Sequence, residues 1–127
     1  MLEHAFYPNL QGKRILVVED DVVIAVDYGF ELRRVGAQPE AYAPTNKVAL
    51  NYLATHQVDA ALVDYQLSDG PCEPVLQLLQ SRGIPFIVVS GCYTFEMDMH
   101  GSVGTCPVLS KPVRPNEVWR ALSEVLQ

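Results

Sequence analysis

Glu19, Asp20 and Asp21 stand side by side directly after the apolar run at residues 15–18. Asp64 follows "AALV", Ser90 follows "FIVV" and Lys111 follows "VLS". Three adjacent carboxylates repel one another, and each resists losing its water. They must therefore fan out into solvent at a turn or surround something positive. Acids, one hydroxyl and one ammonium on a common rim are the parts that hold a hard divalent cation and offset the charge of a phosphoryl group. Each residue also has a plainer use. Asp21 is placed to cap a helix, Asp64 to start a turn, and Ser90 and Lys111 to be ordinary loop residues. The elements that carry them decide between the two readings.

The apolar runs at 15–18, 60–63 and 86–89 do not alternate with polar residues, and a shorter run lies at 108–109. Uninterrupted runs of this kind suit a parallel sheet covered on both faces. Ile24, Tyr28, Leu32 and Val35 recur at helical spacing, with Gly36 placed to end that helix. Thr45 can cap a helix reaching Leu53. Val75, Leu76, Leu78 and Leu79 form the apolar side of another, stopped near Gly83. A last helix opens at Pro115 and carries Val118, Leu122 and Val125 on one side. Residues 36–42 hold the remaining strand. Pro39 within it removes a ladder donor, which assigns that strand to a sheet edge. Strand and helix thus alternate five times, the pattern of a doubly wound α/β domain. Residues 91–107 show no clean helical stripe, so the fourth helix is expected to be short or mobile. In such sheets ligands sit at the carboxyl ends of the strands, where Glu19, Asp20, Asp64, Ser90 and Lys111 all fall.

The bulk properties exclude several classes. The 127 residues suffice for one domain with a core, and 49% of them are hydrophobic. A net charge of −6 and scattered Lys and Arg argue against a grip on nucleic acid phosphates. No apolar run reaches membrane-spanning length, and residues 1–10 lack the pattern of a signal peptide. Cys72, Cys92 and Cys106 are odd in number and far apart, as in thiols of a reducing cytoplasm. His4, His56 and His100 have no metal-ligand spacing. No glycine-rich phosphate cradle or Ser-His-Asp set competes with the acidic rim.

Together, "ILVVEDD", "ALVDYQLSDG", "PFIVVSG" and "VLSKP" resemble the successive signatures of response-regulator receiver (CheY-like) domains. The resemblance covers about residues 13–127 and leaves residues 1–12 as an arm or linker. It implies a flavodoxin-like five-stranded sheet of order 2-1-3-4-5 with five helices. It further implies that Asp64 accepts a phosphoryl group from a sensor histidine kinase, with Mg2+ as cofactor. Glu19 and Asp20 match the acidic pair around the metal, with Asp64 and the backbone carbonyl of Gln66 completing the protein's share. Ser90 matches the switch hydroxyl and Lys111 the phosphate-binding lysine, with a cis bond to Pro112. Gly91 would keep the approach to Asp64 open. Such a protein would be no enzyme beyond its own phosphorylation and dephosphorylation.

A narrower resemblance lies in "VVSGCY", a variant of the Phe-Ala-Thr-Gly-x-Tyr signature of a receiver subgroup. It implies a kinase partner of HWE or related type, and further protein or histidine phosphotransfer partners; homodimerisation stays open. Two departures stand against the usual receiver pattern. Ser68 occupies a place often held by Pro, with Gly70 coming early, and Val108 replaces the Tyr or Phe whose ring moves on phosphorylation. Tyr93 is the aromatic residue left to carry that part of the switch. The competing readings are a pseudo-receiver that only binds proteins and a small aspartyl phosphatase. The phosphatase would need an acid where Gln66 stands.

Overall fold

The computed structural model describes residues 7–91 and 106–127. Its elements in chain order are a 3-10 turn at Pro8–Leu10, β1 (Arg14–Val18), α1 (Val22–Arg34), β2 (Gln38–Ala43), α2 (Asn46–Thr55) and β3 (Ala60–Asp64). A small hairpin of Gln66–Leu67 and Gly70–Pro71 follows, then α3 (Glu73–Ser81), β4 (Phe86–Ser90), β5 (Val108–Ser110) and α4 (Pro115–Val125). The five strands form one parallel sheet in the order β2-β1-β3-β4-β5. The sheet and its order match the expectation from sequence. The expected short fourth helix, like Tyr93 and Cys92, lies outside the described residues.

Alternate residues along the central strands explain why their apolar runs are continuous. Leu16, Val18, Ala61, Val63 and Val88 pack on one face with Ala49 and Leu53 of α2 and Val75, Leu76 and Leu79 of α3. Ile15, Val17, Ala60, Leu62, Ile87 and Val89 pack on the other with Ala25 and Leu32 of α1 and Val118, Trp119 and Leu122 of α4. Each fully buried aliphatic side chain contributes roughly 1.5–3 kcal/mol, so both faces must stay covered. β2 is an edge strand, as Pro39 requires, and its register slips where Ile15 pairs with Pro39 but Leu16 with Ala41.

Local chemistry sets the helix ends. Asp21 Oδ1 accepts from the amides of Val23 and Ile24, capping α1. Gly36, at φ +84°, ends the same helix in the left-handed region, and Ala37 N donates to Leu32 O. Thr45 Oγ1 accepts from Val48 N at the start of α2. At the chain's start, residues 7–12 are anchored to the packed body, with Pro8, Gln11 and Gly12 exposed. Leu10 is fully buried, Asn9 and Ser123 exchange two hydrogen bonds, and Tyr7 meets the Trp119 ring at 6.0 Å.

Candidate functional site

The parallel sheet brings the carboxyl ends of β1, β3, β4 and β5 to one rim. Asp64 is the last residue of β3, and its register partner on β4 is Val89. Ser90 closes β4, and its carbonyl accepts from Lys111 N at 3.0 Å, so the backbone itself ties the lysine to the hydroxyl-bearing residue. Glu19 follows β1, with its amide bonded to Ala43 O. These positions line a cleft of ≈ 420 Å3 together with Asp20, Gln66 and Gly91.

Within the cleft, Lys111 Nζ lies 3.2 Å from Asp64 Oδ1 and 3.9 Å from Glu19 Oε1. Carboxylate oxygens of Glu19, Asp20 and Asp64 lie within 4.8 Å of one another. Asp20 is exposed, whereas Glu19 and Asp64 are only 3% and 6% exposed. Burial pushes the Glu19 carboxyl up to about 7, against the pull of the Asp21 N–H on its Oε2 at 3.1 Å. Burial also raises Asp64, while Lys111 draws it down and Asp20 adds repulsion. Two buried acids and an exposed third therefore face a single ammonium.

The donor set is one that a hard cation fits. Glu19 Oε1 is buried with no hydrogen-bond partner, a costly state for a carboxylate oxygen. Three carboxylates, with no nitrogen or sulfur ligand beside them among the described residues, suit Mg2+ rather than a softer metal. Gln66 also lines the cleft. The Lys111–Pro112 bond is cis. A Cβ at Gly91 would meet Lys111 Cδ at 3.9 Å, an ordinary contact, so sterics beside the lysine do not require a glycine here. Val108 is half-buried in β5 and brings no ring to the rim.

The structure thus gathers Glu19, Asp20, Asp64, Ser90 and Lys111 on one rim, with Gln66 beside them; Tyr93 is outside the described residues. What the sequence reading passed over is the tether of the hairpin after Asp64: Asp69 accepts from the amides of Asn46 and Lys47. A signal existed in the Asp69–Gly70 turn pair and the polar Asn46 beside Thr45. Nothing in the chain, however, links positions 23 residues apart.

Comparisons with known proteins agree with this fold. Neither protein-family models nor curated proteins give a match. Among solved structures, SdrG from Sphingomonas melonis Fr1 is 31% identical with a TM-score of 0.77, over 91% of this chain and 98% of that one. A response regulator receiver domain protein (CheY-like) from Methanospirillum hungatei JF-1 is 28% identical, TM-score 0.80, over 91% and 94%. The REC domain of the PhyR response regulator from Erythrobacter litoralis shares the fold at 22% identity, TM-score 0.79, with 91% of each chain covered. The chain belongs to the response-regulator receiver (CheY-like) family.

Proposed function

We propose that this receiver is the phosphoryl acceptor of a two-component phosphorelay, taking its phosphoryl group from a phosphohistidine of a sensor histidine kinase onto Asp64. The observation that carries this reading is the Lys111 ammonium 3.2 Å from Asp64 Oδ1, inside a cluster of three acids whose oxygens lie within 4.8 Å. An Asp64 oxygen attacks phosphorus, and the P–N bond breaks with its electron pair returning to the imidazole. The product is an acyl phosphate on Asp64. Glu19, Asp20, Asp64 and the Gln66 carbonyl would hold Mg2+, which when bound offsets the negative charge of the carboxylates and the incoming group. Lys111 places a compact cation beside the transferred oxygens, and Ser90 donates a hydrogen bond to one of them. The protein's own contribution is positioning and charge; hydrolysis of the acyl phosphate resets it, and no other substrate is turned over.

A protein donor needs a surface beside the cleft. Val22 and Val23 are 72% and 77% exposed, and Val26 and Phe30 continue the same exposed stripe along α1 from the capping Asp21. A stripe of this kind supports association with another protein. The Ser90, Gly91 and Tyr93 spacing supports the Phe-Ala-Thr-Gly-x-Tyr subgroup and an HWE-type or related kinase as the donor. Val108 lacks a ring, which leaves Tyr93 to carry the aromatic part of the switch. No helix among the described residues is long and apolar enough to cross a membrane, and the unpaired thiol pattern supports a cytoplasmic setting.

Intact-mass measurement after incubation with acetyl phosphate or phosphoramidate tests the reading. One labile phosphoryl adduct is expected with Mg2+, and none with chelator or in Asp64→Asn. An adduct of equal yield in Asp64→Asn overturns the assignment. No adduct in the wild type would make the protein a pseudo-receiver that acts by binding alone.

A further inference from the structure

Asp69 sits in the turn of the small hairpin that follows Asp64, and its carboxylate reaches out of that hairpin. Oδ1 accepts from Asn46 N at 2.9 Å and from Asn46 Nδ2 at 3.2 Å, while Oδ2 accepts from Lys47 N at 3.1 Å. Helix α2 therefore has two caps: Thr45 at its own N-cap position, and Asp69 from the acceptor loop. Asn46 Nδ2 also donates to Pro71 O at 2.9 Å and Gly70 O at 3.4 Å. The hairpin pairs Gln66 with Pro71 and Leu67 with Gly70, and Cys72 N donates to Tyr65 O at its base. One strand of the hairpin thus brings Gln66 to the cleft, and the other is bound to the start of α2. At the far end of α2, the Arg82 guanidinium donates to Leu53 O, so α2 is tied to the segment after β3 at both ends.

We propose that Asp69 is a positioning residue. By capping α2 from the acceptor loop, it fixes the Gln66 strand at the cleft, strengthens divalent-cation binding there, and makes occupancy of the cleft felt at the α2 N-terminus. The inference rests on the cleft being a divalent-cation site. A carboxylate at a helix N-terminus is favourable in itself. It also removes conformational freedom from a short loop before any ligand arrives, so the loop's ordering is not charged against binding. Burial of Leu67 alone would hold the hairpin to the core but would not set the position of its tip.

The test compares the full chain as wild type, Asp69→Ala, Asp69→Asn and Thr45→Ala. Mg2+ is titrated by amide NMR shifts and thermal denaturation, and hydrogen exchange at Asn46 and Lys47 is followed without metal. Asp69→Ala is expected to weaken Mg2+ binding about tenfold, at the low end for removing a residue that orients a metal ligand, and to speed exchange at both amides. Asp69→Asn keeps one acceptor oxygen and should recover most of the affinity. Thr45→Ala weakens the same helix without touching the loop and should leave the affinity unchanged. Equal affinities in Asp69→Ala and Thr45→Ala would overturn the proposal. Should Asp69→Ala fail to fold, wild-type affinity in Asp69→Asn with protection lost at both Asn46 and Lys47 would overturn it as well. A wild type with no Asp20-dependent response to Mg2+ would overturn the cation reading itself, whereas a normal wild-type response with an indifferent Asp69 overturns this inference alone.

Discussion

Lys111 and Asp64 lie 3.2 Å apart, Nζ to Oδ1, at the ends of strands that are not neighbours in the sheet, since β4 stands between them. The contact is made across Ser90, whose carbonyl holds the lysine amide. Lys111 is thus a fixed counter-charge to a buried acid. Lys111→Ala should raise the Asp64 pKa further, because the ammonium is what draws it down against burial and Asp20. Carboxyl-carbon NMR titration reads this directly. Phosphorylation by phosphoramidate should fall about a hundredfold, the scale of losing one charge-stabilising donor.

Mg2+ should raise thermal stability by mass action, on the order of 2.7 kcal/mol at a hundredfold excess over Kd. Asp20→Ala should behave oppositely in its two states. Without metal it removes a like charge from the cluster of Glu19 and Asp64, so the midpoint should rise or hold. With metal it should gain little. An equal Mg2+ response in both proteins would mean that the acids are only a solvated turn.

Stability should also depend on pH in a way that metal reverses. Glu19 is raised from its ordinary 4.5 to about 7, so the folded state binds a proton that the unfolded state has already released between those values. Metal-free stability is therefore expected to fall as pH rises through that window, by on the order of 3 kcal/mol from this group. Asp64 is raised too and adds to the same slope from lower pH. A bound divalent cation favours the charged carboxylates, so melting curves in Mg2+ should flatten or invert relative to those in chelator. Parallel pH profiles with and without Mg2+ would contradict the site.

Away from the rim, Gly36→Ala should destabilise the fold without changing phosphorylation. Its φ of +84° strains any Cβ, and that Cβ would also strike the Gln11 side chain, which caps the Val35 carbonyl. A loss of about 1–2 kcal/mol in urea denaturation is expected.

The sheet was legible because each central strand is covered on both faces, which forces apolar residues such as Ile15 to Val18 into unbroken runs. Helix starts were legible where the residue just before the helix caps it, as Asp21 and Thr45 do. The convergence of Glu19, Asp64 and Lys111 followed from parallel topology alone, since strand ends share a rim. Three features were not legible. Residues 7–12 read as an arm because Asn9 and Leu10 belong to no periodic pattern, yet they are held by Ser123 and the core beside α4. The hairpin at Gln66–Leu67 and Gly70–Pro71 is too short to carry a strand signal. The Asp69 cap on α2 joins two turns that only the folded sheet brings together.

The central claim, that Asp64 is the phosphoryl acceptor, is tested most directly by trapping the acyl phosphate. Protein treated with phosphoramidate and Mg2+ is reduced with borohydride, which converts a phosphorylated aspartate to homoserine, and the peptides are sequenced by mass spectrometry. The account predicts homoserine at position 64, dependent on Mg2+ and missing at Asp20 and Asp21. Homoserine at any other acid, or an adduct that resists borohydride altogether, would contradict it.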